Sequence, residues 1–159
     1  MIHFIKLEIT SMSIKQLTAI TGLLLAAITN PAQINAHHAF GAEFDANRPL
    51  TLEGKVSRIE WVNPHAWFII DVANEDGTET EWWIEGGTPN TLLRRGIHKR
   101  SIRVGTEVMI EGYQAKDRSN RANGRNITLA GGEKLFMGSS GTGAPQDGAD
   151  PTEQLASGQ

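Results

Sequence analysis

Apolar and polar positions alternate with period two along most of this chain, which predicts strands. In Leu50–Val62 (LTLEGKVSRIEWV), Leu50, Leu52 and Val56, then Ile59 and Trp61, alternate with polar residues, and the phase slips near Gly54. That slip predicts one long, bent strand with a bulge. Asn63-Pro64 stops it. Ala66–Val72 (AWFIIDV) predicts a second, mostly buried strand. Asn74–Gly77 (NEDG) predicts a hairpin turn, and Thr78–Glu85 (TETEWWIE) a third strand that Gly86-Gly87 ends. Trp82 and Trp83 are neighbours on it, so one faces the core and the other faces out.

One short helix follows. Thr88 is placed to cap it, and Pro89 sits at its first position, where a missing N–H costs nothing. Leu92 and Leu93 supply its apolar residues, Arg94 and Arg95 suit the negative end of its dipole, and Gly96 ends it. Thr106–Ala115 predicts a fourth strand, Asp117–Gly124 a polar loop, and Arg125–Leu129 and Lys134–Met137 the last strands. Three strands, a short helix and two or three further strands is the order of an OB-fold. The predicted class is all-β: a small closed or partly open OB-like barrel with one short helix between strands 3 and 4. A generic antiparallel sandwich is the alternative.

The flanks have a different character. Lys6 and Lys15 precede the apolar run Leu17–Ile28, which is shorter than the roughly 20 residues a membrane-spanning helix needs. Residues 1–36 read as a secretory signal peptide cut after Ala36, with Met12 as a second candidate start. An uncleaved membrane anchor is the alternative. The barrel domain, with an N-terminal arm, is expected over 37–137. Residues 138–159 are mostly Gly, Ser, Ala, Asp, Pro and Gln, and are expected to form a disordered tail.

The 159 residues contain no cysteine, which excludes disulfides, zinc–thiolate sites and cysteine nucleophiles. Net charge is −3; residues 1–36 hold two lysines and one glutamate, leaving 13 basic and 17 acidic side chains, or −4, in the remainder. That balance, with export, excludes a nucleic-acid partner.

Several stretches occur together in order: HHAFGAEFD (His37–Asp45), VNPHAW (Val62–Trp67), IEGGTPNTLLRRG (Ile84–Gly96), IEGYQAKD (Ile110–Asp117) and ANGRNITL (Ala122–Leu129). On these motifs the chain resembles a family of small exported bacterial proteins of unknown function. The resemblance covers roughly His37 to Ser140. It implies export to the periplasm or outside the cell and a compact β domain, and it implies no activity.

The candidate chemistry lies in the histidines. Cleavage after Ala36 would leave His37 as the first residue, followed by His38. The α-amine and imidazole of His37 could then chelate one metal, and His65, at the corner Asn63-Pro64-His65, could add a third nitrogen. Flat, nitrogen-only donor sets suit copper(II). This donor set is similar to the histidine brace of copper proteins, an analogy of site and not of family. His38 offers a looser, exposed alternative. His98 is weaker, because Lys99, Arg100 and Arg103 oppose a bound cation. Phe40 and Phe44 would anchor the arm to the barrel.

The second reading is a metal-free periplasmic module that holds an exported protein partner through Trp61, Trp67, Arg94 and Arg95. Gly86-Gly87 before the helix reads as a turn rather than an anion site, and Glu107 and Glu111 as outward polar positions rather than paired acids. No residue set sufficient for an enzyme is present. The leading expectation is a non-enzymatic binding protein.

Overall fold

A computed structural model describes residues 39–151. The elements in order are α1 (Ala39–Glu43), β1 (Phe44–Glu60), β2 (Trp67–Ala73), β3 (Glu79–Glu85), α2 (Pro89–Arg94), β4 (Glu107–Ala115), β5 (Arg121–Leu129) and β6 (Lys134–Phe136). β1 pairs antiparallel with both β2 and β4, β4 with β5, and β2 with β3. A parallel pairing of β3 with β5 closes the ring. The ring order β1-β2-β3-β5-β4, with α2 between β3 and β4, is a closed five-stranded OB-like barrel, and the sandwich alternative falls. β6 extends β5 beyond the ring.

The barrel is filled by inward residues from every strand, among them Val56, Phe68, Ile70, Ile84, Ile110 and Ile127. Trp82 packs against this core, as the period requires, and Trp83 lies on the outer face. A second, smaller cluster joins Phe40, Phe44, Tyr113 and Ala115. It pins α1 to the end of β4, the anchoring expected of the two phenylalanines.

Two glycines let strands approach closely. A Cβ on Gly54 would lie 2.6 Å from the Asp71 carbonyl oxygen, and one on Gly112 would lie 2.2 Å from that of Asn123. The β1 register shift falls between Val56 and Arg58, a few residues past the expected slip at Gly54. Gly54 therefore serves the close contact rather than the bulge. Gly112 sits at a register shift between β4 and β5.

Three boundaries differ from expectation. β1 begins at Phe44 instead of Leu50, because Phe44 pairs with Ala115 and buries its ring. β5 begins at Arg121, four residues into the expected loop Asp117–Gly124, because Arg121–Asn123 are the residues that pair with β3. The polar run RANG reads as loop, yet it carries the ring closure. Finally, residues 138–151 of the expected disordered tail lie against the barrel, while 152–159 are outside the described residues. Arg95 donates to the Gly138 carbonyl and to Ser140 Oγ (2.9 Å), and Ser140 donates to Asp150 (2.9 Å). Arg125 donates to the Pro145 carbonyl (3.2 Å) and to Asp147 (2.9 Å). The segment has little apolar surface of its own to bury. Charge-assisted hydrogen bonds from barrel arginines hold it instead.

α2 starts as expected. Thr88 has extended backbone (φ −62°, ψ 148°), and its Oγ1 accepts the Thr91 N–H at 3.2 Å. Thr88→Ala is expected to lower stability by about 1 kcal/mol, the usual worth of an N-cap. Chemical denaturation at neutral pH checks this; an unchanged midpoint would mean that Pro89 and packing alone set the helix start.

Candidate functional site

The end of the barrel where β1 leaves and β5 enters gathers the chemistry. Glu85 pairs with Trp67 on one side and with Asn123 on the other, and Trp83 pairs with Arg121. Ile84 points into the core, so Trp83 and Glu85 share the outer face. The β1–β2 loop, residues 61–66, and the β4–β5 loop, residues 116–120, both touch the end of β3: the Gly86 N–H donates to the Ala66 carbonyl (2.8 Å) and the Trp83 N–H to the Asn120 carbonyl (2.9 Å). OB-type barrels take their ligands on the outer face of strands 2 and 3 and between these two loops.

His65 occupies the β1–β2 loop, after the cis Asn63–Pro64 bond. The backbone beside it is fixed: the Ala66 N–H donates to the Gly87 carbonyl (3.0 Å), and the Gly86 N–H donates to the Ala66 carbonyl (2.8 Å). Gly87 N–H donates to the Met137 carbonyl (2.7 Å). The glycine pair is thus a bonded turn with no amides left to hold an anion, as the sequence suggested.

The His65 Nδ1 lies against Glu85 Oε1. Glu85 is only 7% exposed. Burial pushes its carboxyl above the ordinary value; the His65 imidazole opposes that shift, Glu43 adds to it, and Arg121 lowers it. Nδ1 is placed to donate to the carboxylate, which leaves Nε2 with the free lone pair when the ring is neutral. This is the arrangement found around metal-ligating histidines, where a carboxylate fixes the tautomer and the ring. The same geometry also suits a general base.

Around this pair runs a belt of charge and aromatic rings. Arg121 bonds to Glu43 at the end of α1 and lies over the Trp67 ring, 5.2 Å from its centroid. Trp67 meets Trp83 edge-on at 6.2 Å, Arg58 lies 5.1 Å over Trp83, and Trp83 Nε1 donates to Glu81 at 2.8 Å. Both arginines are thereby held by a ring and by a carboxylate, since Arg58 also pairs with Glu60 at 3.2 Å.

The remaining candidates are dispersed. His37 and His38 lie outside the described residues. Among the described residues no group of three His, Asp or Glu side chains is placed to hold a metal ion, so this part of the chain supplies His65 alone toward the expected donor set. His98 Nδ1 accepts the Arg100 and Ser101 N–H groups (3.2 and 3.0 Å), so it caps its own turn. Trp61 stands edge-on to Phe68 at 5.9 Å. Arg94 is exposed and bonds to Thr91. Arg95, expected to meet a partner, is turned inward: it lies 4.4 Å over Phe136 and holds residues 138–140. Glu107 pairs with Lys55 and Glu111 with Lys134, so they are separate ion pairs and not an acid pair.

Glu85, Arg121 and Glu43 were not legible as site residues. Each occupies an outer, polar position of ordinary appearance, and Glu85 is twenty residues from His65 in the chain. Only the register that sets Trp67 opposite Glu85 brings them together.

A protein-family model, described as a family of unknown function, matches residues 24–125. The matched span contains Glu43, His65, Glu85 and Arg121. No curated protein matches the chain.

Proposed function

The chain belongs to the family of unknown function DUF6152, a membership that assigns no chemistry, and on that premise we propose an exported, non-enzymatic binding protein that takes one copper(II) ion at the His65 end of the barrel. The observation that carries this reading is the contact of His65 Nδ1 with the buried Glu85 carboxylate. It orients the imidazole and leaves the lone pair of Nε2 for a ligand when the ring is neutral. Copper(II) favours such imidazole nitrogens over oxygen donors and stands highest in the divalent affinity order.

The other nitrogens come from His37, through its α-amine and ring, with His38 as the looser substitute. Glu43 acts on Glu85 through space and shares Arg121 with it. His37 lies two residues before the start of α1 at Ala39, and two residues of chain reach at most about 7 Å. Phe40 and Phe44, buried against Tyr113, fix the start of that span. Export is supported by the Lys6–Lys15 start and the Leu17–Ile28 run. No helix among the described residues is long and apolar enough to cross a membrane.

The test is the intact mass of the protein recovered from its native envelope, before and after one equivalent of copper(II). The expected result is a chain beginning at His37 with one copper that survives a weak chelator. A different first residue, or copper that washes off, overturns the reading. One alanine placed ahead of His37 displaces the amine, so that chain is expected to bind as weakly as His37→Ala; normal binding by it sinks the N-terminal chelate.

A further inference from the structure

We infer that the cleft between α2 and the β1–β2 loop is a docking surface for an acidic protein segment that carries one large apolar side chain. The cleft has a volume of about 420 Å³ and is lined by Trp61, Pro89, Leu93, His98, Lys99 and Arg100. It is independent of copper: none of these residues belongs to the His65–Glu85 cluster.

The floor and walls are apolar and rigid. α2 turns Leu92 into the core, which leaves the next residue, Leu93, facing out and 53% exposed. A leucine this exposed on a helix capped at Thr88 and packed by its other leucine is not a core residue out of place. Trp61 packs against the core edge-on to Phe68 and cannot swing to cover it. Pro89 adds a fixed ring at the helix start.

The rim is basic and built. His98 Nδ1 accepts the N–H groups of Arg100 and Ser101, and Ser101 Oγ donates to the Gly96 carbonyl at 3.1 Å. These bonds hold the turn that presents Lys99 and Arg100 beside the cleft, with Arg94 on the adjoining helix end. No carboxylate lines the cleft, and among the described residues Arg94, Lys99 and Arg100 form no ion pair. Three cations with no ion-pair partner among the described residues, in a chain of net charge −3, are a local field that selects an anionic partner.

An apolar centre with an aromatic wall and an arginine–lysine rim is the anatomy of a protein interface. The concavity chooses among anionic partners. A flat bilayer would touch the rim and leave the cleft empty, whereas one Phe or Leu side chain on an acidic segment fills the cleft and sets its carboxylates on the rim. The other occupants, an anionic bilayer and this chain's own residues 152–159 with Glu153 and Leu155, are outcomes of the test.

The experiment titrates the full chain with the peptide EDEFEDE, following the Trp61 indole and Leu93 methyl signals by NMR. The expected result is saturable binding that shifts both signals and weakens at least tenfold with EDEGEDE, with L93E, and with K99E and R100E together. Leu93, Lys99 and Arg100 are surface residues, so these variants keep the fold. Equal binding of EDEGEDE overturns the apolar half of the proposal. Shifts that map elsewhere overturn the location. Tighter capture of phosphatidylglycerol vesicles than of EDEFEDE at the same residues assigns the surface to a bilayer. Changed Leu93 signals in a chain ending at Pro151, without peptide, assign the cleft to residues 152–159. Either assignment overturns the protein partner.

Discussion

Glu85→Leu is expected to weaken copper(II) binding tenfold to a hundredfold without lowering the thermal midpoint at pH 7. The loss follows from the role of Glu85: removing the carboxylate behind a ligating histidine typically costs about that factor in affinity. The unchanged midpoint follows from burial. Desolvation is the largest influence on Glu85 and pushes its carboxyl up, so its ionised form is a net cost to the fold at neutral pH. Breaking a buried ion pair costs about 3–5 kcal/mol when it strands a buried charge. Here it strands none, because the His65 side chain is 25% exposed and its ring can be neutral, while Arg121 keeps Glu43.

The sign of the pH dependence is a second check. A carboxyl raised in the folded state contributes stability that is fully present below its ordinary value, near 4.5, and is lost as pH rises through the folded value. Wild type should therefore gain on Glu85→Leu as pH falls toward 4.5. Denaturant midpoints and copper titrations on both proteins test the pair of statements. A variant several kcal/mol less stable at pH 7 would make Glu85 a structural residue and remove the support for an oriented ligand.

Arg125→Met should cost about 3 kcal/mol, the low end for breaking a buried pair, and lower the thermal midpoint by about 10 °C. Arg125 is 2% exposed. It bonds to Asp147 and to the Pro145 carbonyl and lies 4.9 Å over Phe136, so it ties residues 145–147 to the barrel wall. Methionine keeps the packing on Phe136 and removes the bonds. The low end applies because the Asp147 side chain is 33% exposed and regains water. Burial alone would raise the Asp147 carboxyl, but the Arg125 guanidinium and the Ala149 N–H hold it below its ordinary value of 3.8. A depressed carboxyl contributes stability above that value and loses it as pH falls through the folded one. The gap between wild type and Arg125→Met should therefore narrow below pH 3.8. A constant gap down to pH 2 would show that packing, and not the ion pair, holds the segment.

The contrast between Arg94 and Arg95 shows where reading along the chain stops. Side by side after two leucines, they look like one basic helix end. In the fold Arg94 stays on the surface, and Arg95 turns onto Phe136 and clasps residues 138–140. The partner of Arg95 lies some forty residues away in sequence, and no local pattern announces it. The same limit explains RANG at 121–124, where a polar run with a glycine has every local mark of a loop. Its backbone closes the ring only because β3 ends with unpaired edge groups at that height.

By itself the sequence determined the fold class, the order of the strands, the helix between strands 3 and 4 with its Thr88 cap, and the opposite facing of Trp82 and Trp83, but not the short helix α1 at Ala39–Glu43, which reads only as an arm. These follow from periodicity and from hydrogen bonds between residues close in the chain, which a single chain displays. It also marked His65 by its place after Asn63-Pro64. Only the tertiary structure decided that His65 meets Glu85, that Arg121 bridges toward α1, and that the glycine- and serine-rich segment after β6 lies on the barrel. Those contacts depend on which strand edges meet and in what register. That is set by the closure of the whole barrel, where one residue of slip would carry Glu85 from the outer face to the core.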